Sequence, residues 1–496
     1  MQTNLVKSRL KLRAAVTVAS FALLPLSGVF SAAYASPLLS RVETLLAATP
    51  EGGWVQLNTN IYSDAWATGS IAVDYPSYSN PAAIVRAWSS TAWDSTRGDL
   101  LLWGGGHANY AGNEMYVWNA QSGEWARGSV SSRVDKSTTN NYVVDNAAPQ
   151  SAHTYDNNLY LPVNDMFLTF GGAAFQSGGN FAVSDGSRAG PWLWDPNKAD
   201  PNKVGGTTGS GYDPNSIGGD MWTNRQGSWS GSEPGGYINS TTAYRTENGK
   251  DVVYVTSDPQ SSGFPSLYRY TVGDVRNGGA DRWEKIGTAW NSVGWQGAAT
   301  IDTKHNLYIR TAEVRGPYTS SLMVWDLSKA DPANPDNNRD IGISLILEDG
   351  TPFVMNRNYG VEYDQINNRV LLWDGADDGT VWSITPGFDA NGNMLMTWVV
   401  KKLPSTTPSQ PDGNFVTGVL GKWDYISELG AFIALNEFST VDKDAEVWLY
   451  KPFSTSIIEP PPGGGGTVPE PNAVILLLTS LGLLGVAGRK RHQRRG

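Results

Sequence analysis

From residue 54 to residue 453 the chain is built of short β-rich runs, separated by glycine or asparagine turns and marked by a tryptophan or tyrosine near a fixed place. The first unit is the clearest. Ala92-Trp93-Asp94 is followed by a turn at Arg97-Gly98-Asp99 and by the apolar run Leu100-Leu101-Leu102-Trp103, which ends in Gly104-Gly105-Gly106. A loop leads to Glu114-Met115-Tyr116-Val117-Trp118-Asn119, then a turn at Ser122-Gly123 and the run Glu124-Trp125-Ala126. Apolar runs this short, punctuated by turn residues, predict four strands of one small antiparallel sheet.

The same order returns along the chain, which makes the sequence a repeat. Tyr363-Asp364, Asn367-Asn368, Val370 to Trp373, Thr380-Val381-Trp382 and Thr397-Trp398-Val399 form a second clear copy. Ile301-Asp302, Asn306, Leu307-Tyr308-Ile309 and Met323 to Asp326 form a third, and weaker copies begin at Thr154, Ala243 and Trp423. The aromatic residue of the third strand falls at Trp118, Trp194, Tyr270, Trp325, Trp382 and Tyr450, a mean step of about 66 residues. The last copy stops after its third strand, and Gly53-Trp54-Val55-Gln56-Leu57 reads as the strand it lacks. Pairing that leading strand with the last copy would remove the open sheet edge. The expected fold is therefore all-β, a β-propeller over 54–453 with six blades, closed by its N-terminal strand. The long stretch Gly205 to Gly236 could hide the strands of a seventh. Glycine doublets at the ends of second strands and the third-strand aromatic resemble kelch repeats and the propeller of galactose oxidase, so a kelch-like propeller is what the resemblance implies.

Both ends read as addresses. Residues 1–35 carry a basic segment, an apolar run from Ala14 to Phe30 and Ala33-Tyr34-Ala35, the pattern of a secretory signal peptide cleaved before Ser36. Residues 36–53 are a lead-in, and 454–467 form a proline- and glycine-rich linker. Val468-Pro469-Glu470-Pro471, an apolar segment over 472–488 and a basic tail over 489–496 complete the chain. Sixteen apolar residues span ~24 Å against a ~30 Å hydrocarbon core, just sufficient for one transmembrane helix if Asn472 is included and Arg489 snorkels. The order of motif, short helix and basic end resembles a PEP-CTERM sorting signal. That resemblance implies a Gram-negative exporter, a membrane exosortase as partner, transient anchoring in the membrane by the C-terminal helix, and release or transfer to the cell surface or matrix. Exosortase substrates as a class are associated with exopolysaccharide and biofilm.

Charge sharpens this picture. Nine of the 37 basic residues lie at the two ends, leaving 28 against 47 acidic residues in between, a net of −19. A body so acidic repels phosphate backbones, which excludes nucleic acid as a natural partner and favours neutral glycans or divalent cations. The absence of cysteine excludes a disulfide framework, a thiol nucleophile and the cysteine-linked tyrosine of copper-radical oxidation.

In a propeller the loops joining second to third strands, and each blade to the next, share one face. The loop Gly104 to Glu114 brings His107, Asn109, Tyr110 and Glu114 there, and His153 opens the following blade beside it. Further round come Glu313, Arg315 and Tyr318, then Arg357-Asn358-Tyr359, while His305 falls in a turn of the opposite face. Trp222 and Trp229, in the long insert, fall outside the repeat and are the candidates for stacking on sugar. Asp374, Asp377 and Asp378 crowd one loop with the oxygen ligands calcium would take. Three functions fit. The leading one is binding of extracellular polysaccharide or an envelope partner. A second is a polysaccharide lyase in which His107, His153, Tyr110 and Arg357 abstract the proton α to a uronate carboxylate while neutralising it. The third is a non-catalytic matrix scaffold.

Overall fold

The turn residues of the repeat decide where each strand stops. A computed structural model describes residues 38–74, 80–135, 143–175, 190–207, 212–257, 263–413, 416–437 and 445–454. The signal peptide, most of the linker, the sorting motif and the apolar tail segment lie outside them. The described residues up to Lys451 form one compact unit, which contains every strand described.

Most of the described strands fall into six antiparallel meanders, while Ala152–His153 pairs separately with Ala173–Ala174. The first comprises Thr91–Asp94, Asp99–Leu102, Tyr116–Asn119 and Trp125–Arg127. The second comprises Asn158–Leu161, Met166–Thr169, Trp192–Trp194 and Trp222–Asn224, and the third Thr241–Glu247, Lys250–Ser257, Ser266–Thr271 and Asp281–Thr288. Ala299–Asp302, Leu307–Glu313, Ser320–Asp326 and Ile341–Leu347 make the fourth. Gly360–Asp364, Arg369–Trp373, Val381–Ile384 and Thr397–Leu403 make the fifth. Trp423–Ile426, Ala431–Glu437 and Ala445–Lys451 make the sixth, and Gly53–Gln56 supplies its fourth strand.

Burial follows position in the meander. Second strands such as Arg369–Trp373 and Ala431–Glu437 are buried along their whole length, because neighbouring sheets cover both faces. The fourth strand Thr397–Leu403 alternates between exposed and buried over Thr397–Val400, as a strand with one wet face does, and there it also pairs in parallel with Ile341–Leu347 of the fourth meander. The first strands of successive meanders surround a cavity of about 360 Å³ that all six line, with Thr91, Asn158, Thr242, Thr300, Glu362 and Asp424 on its wall. This is a propeller-like arrangement.

Closure is direct. Trp54 lies opposite Tyr450 in the antiparallel ladder between Gly53–Gln56 and the last strand. The Trp54 ring is buried, with centroids 5.0 Å from Tyr450, 5.3 Å from Trp373 and 5.7 Å from Trp423. Its indole N–H donates to the Gly379 carbonyl at 2.8 Å, so one side chain ties the fifth and sixth meanders. The lead-in also contributes: helix Ser40–Ala48 packs Leu39 and Val42 against Leu100, Leu102 and Ile433, and Arg41 donates to the Leu57 carbonyl at 2.7 Å.

The long insert contributes two described strands. Trp222–Asn224 is the outer strand of the second meander, with Trp222 paired to Trp194 and buried. Trp229–Gly231 then runs parallel to Asp281–Thr288 on the outside of the third. Trp222 is therefore packing, set against Trp103 and Phe167, because a fourth strand needs an apolar residue at that place. Trp229 is half-buried beside the core of the third meander.

Candidate functional site

The loop after the first meander's second strand is shaped by glycine. Gly104, Gly105 and Gly106 all have positive φ, and His107 and Ala108 follow at 23° and 63°. A Cβ on Gly106 would lie 2.0 Å from the His153 amide nitrogen and 2.2 Å from the Ala152 carbonyl carbon. Only glycine lets this loop lie against the strand Ala152–His153. The result is an imidazole pair: the rings of His107 and His153 have centroids 5.5 Å apart and meet edge to face.

The two histidines differ in state. His107 is exposed, whereas His153 is buried, 4.7 Å from the Trp88 ring and 6.0 Å from that of Tyr155. Burial, with the neighbouring His107, pushes the His153 imidazole down to about 3, so it is neutral at ordinary pH. The Asn109 side-chain amide sits 2.9 Å from His153 Nε2. With the amide donating, Nε2 accepts and the ring proton is assigned to Nδ1.

Tyr110 and Glu114 belong to the same loop but point the other way. Both are buried, the Tyr110 hydroxyl donates to Glu114 Oε1, and the Tyr116 hydroxyl donates to the same oxygen at 2.9 Å. Burial raises the Glu114 carboxyl and, more strongly, both phenols. This group underpins the loop from inside, away from the imidazole pair.

A second cluster stands further round the same face. Glu313 ends the fourth meander's second strand, and Arg357 lies in the loop leading to the fifth; the two are ion-paired. The Arg357 guanidinium carbon lies 5.3 Å from the centroid of Trp295, and Trp295 stacks on Tyr318 at 5.4 Å and 27°. Tyr318 is 49% exposed and sits at a φ of 54°, an uncommon conformation for a bulky residue. Arg315 covers the Phe264 ring at 4.1 Å. The Asn358 carbonyl accepts from Leu420 at 3.1 Å, and Tyr359 is half-buried beside the core of the fourth and fifth meanders. Sequence reasoning missed Trp295. Its signal was available, since Trp88 and Trp295 occupy corresponding inter-meander loops.

Asp374 accepts from the Ala376 amide and the Trp382 indole, both at 2.9 Å, and Asp378 accepts from the Thr380 amide at 2.9 Å and pairs with Lys402 at 3.6 Å. Among the described residues no group of three or more histidine or acidic side chains is placed to hold a metal ion. Of the calcium candidates Asp374, Asp377 and Asp378, the carboxylates of Asp374 and Asp378 fold their own turn. His305 bonds Asp302 at 2.6 Å and stacks on Phe388, in a turn of the opposite face.

That opposite face holds titrating groups the sequence reading did not pick out. The central cavity reaches the turns at Ser95, Pro162, Thr303 and Gln365, and Asp156, Glu362 and Asp424 line it. Each engages one carboxyl oxygen: Asp156 accepts from the Thr242 and Ala299 amides, Glu362 from the Thr300 hydroxyl and Asp424 from the Thr91 hydroxyl. Desolvation raises all three, Glu362 to about 8 and Asp424 to about 7, and their mutual repulsion adds for Asp156 and Glu362. The signal was a polar residue in or just before the first strand of a repeat, where an apolar one would be expected.

Comparison with known proteins adds the destination. Residues 467–491 match the PEP-CTERM protein-sorting motif. The chain is thus marked for export and surface sorting, with an exosortase as the implied sorting partner. No curated protein matches the chain. Among solved structures, an α-L-arabinanase of Penicillium chrysogenum complexed with arabinobiose is 13% identical, covering 78% of this chain and 96% of its own at a TM-score of 0.40. The GH93 α-L-arabinofuranosidase of Fusarium graminearum with arabinobiose is 13% identical, with 77% and 98% covered and a TM-score of 0.40. A GH43_12 protein from a capybara gut metagenome is 12% identical, with 73% and 60% covered and a TM-score of 0.28. Likenesses of this grade carry no argument about what the chain does.

Proposed function

We propose that this protein is a six-bladed, kelch-like propeller, sorted to the surface of a Gram-negative cell, that binds extracellular polysaccharide through the face bearing the inter-blade loops. The observation that carries the reading is the half-exposed Tyr318 ring stacked on Trp295 beside the Arg357–Glu313 pair. Aromatic faces rimmed by fixed polar groups are how shallow sites hold amphipathic ligands. The exposed His107 and the half-buried Asn109 supply further polar contacts on the same face. In this reading the tail holds the chain in the inner membrane until an exosortase acts on it.

Lyase chemistry draws less support. It requires a base, a phenol and an arginine free at one point, whereas the Tyr110 hydroxyl is engaged with Glu114 and Arg357 with Glu313. His153, protonated only near pH 3, is a poor base.

The test is retention of the purified body, residues 36–466, on matrix polymers from the producing cells. Binding that falls in Tyr318→Ala and Arg357→Ala supports the proposal. A body that passes unretained over every such polymer overturns it.

A further inference from the structure

We infer that the glycan taken at the Trp295–Tyr318 cluster is uncharged, an inference that rests on the reading above and narrows it. The cluster contains a cation, but not a free one: the Arg357 guanidinium is already matched by Glu313. An ion pair of this kind carries little net charge, and with Glu313 buried it is the part-exposed Arg357 guanidinium that faces outward, held beside its own counter-charge. A sugar hydroxyl fits that pattern by accepting from the guanidinium. A carboxylate or sulfate on the ligand would instead compete with Glu313 for Arg357 and meet its repulsion.

Two further observations point to a ligand. Glu313 is 5% exposed, and its Oε2 and the Arg357 Nε have no hydrogen-bond partner among the described residues. Two unpaired polar atoms on one ion pair ask for a further partner. Above them the backbone holds Tyr318 at positive φ with its ring outward, a strain that persists where a side chain has to be presented. The body's net charge of −18, from 28 basic and 46 acidic residues over 36–466, adds a long-range bias against polyanions. The opposing consideration is Arg315, which is exposed and stacked on Phe264. If the ligand were anionic, Arg315 is the charge it would meet.

The experiment is affinity electrophoresis of residues 36–466 through gels containing dextran, galactomannan or xyloglucan, against gels containing alginate or polygalacturonate, at ~50 and ~500 mM salt. The expected result is retardation by at least one neutral polymer, insensitive to salt and weakened about tenfold or more in Tyr318→Ala and in Glu313→Gln. Unchanged melting of Tyr318→Ala, a surface substitution, separates this from unfolding. Retardation confined to the uronate polymers, lost at high salt or in Arg315→Gln, overturns the inference while leaving glycan binding intact. Neutral-polymer binding indifferent to Tyr318→Ala overturns the placement. No retardation in any gel overturns both the inference and the function it narrows.

Discussion

Single residues set the chemistry of both faces. Gly106 is the clearest case, because its Cα lies against the Ala152–His153 backbone. Gly106→Ala is expected to cost about 2 kcal/mol or more, by strain at positive φ and by displacement of backbone that cannot yield. Urea unfolding checks this, and an unchanged midpoint would show that the loop has another way to lie. The cavity carboxyls give a second prediction. Because Glu362 and Asp424 titrate near 8 and 7 in the fold, above their ordinary values of 4.5 and 3.8, the folded chain holds more protons than the unfolded one between about pH 4 and 8. Their stabilisation is therefore present at acid pH and fades as pH rises through that window. Asp424→Asn should melt higher than the parent at pH 8 and show no such gain at pH 4. Parallel melting curves across the range would refute the assignment.

At the level of elements, the periodic part of the sequence told most. The third-strand aromatics Trp118, Trp194, Tyr270, Trp325, Trp382 and Tyr450 all stand in third strands of the six meanders. Aromatic spacing could do this because each third strand is packed between neighbouring sheets and needs bulk at the same place. The fourth strands were harder. Trp222–Asn224 and Trp229–Gly231 lie in a glycine- and serine-rich insert whose composition signals loop, and only the ladder to Trp194 makes the first a strand. Side-chain direction was not legible at all. Tyr110, three residues from His107, turns inward to Glu114, because a loop with five consecutive positive-φ residues has no simple alternation. The closing strand offers the test at this scale. Removing the Trp54 ring empties the contact of three aromatic residues and one indole hydrogen bond, so Trp54→Ala is expected to cost about 3–5 kcal/mol. Calorimetry reads this directly, and a loss under ~1 kcal/mol would mean that the strand is dispensable to closure.

For the whole molecule, the body and its address are separable. Truncation before residue 467 removes the segment matched by the sorting motif and leaves every described strand intact. The truncated protein should still fold and bind polymer, yet appear in the medium rather than on the cell. Surface display of the truncated form, scored by protease shaving of whole cells, would show that the body carries its own means of attachment.

The pairing of Trp54 with Tyr450 has a mechanical corollary. Any tension drawn through the C-terminal tail enters the body at Lys451, on a strand clasped along both edges, by Gly53–Gln56 and by Ala431–Glu437. A load directed along that strand shears the ladders on its two sides together rather than unzipping them one bond at a time. The first and last strands thus act as a buckle, fastened at the point where the chain would be pulled.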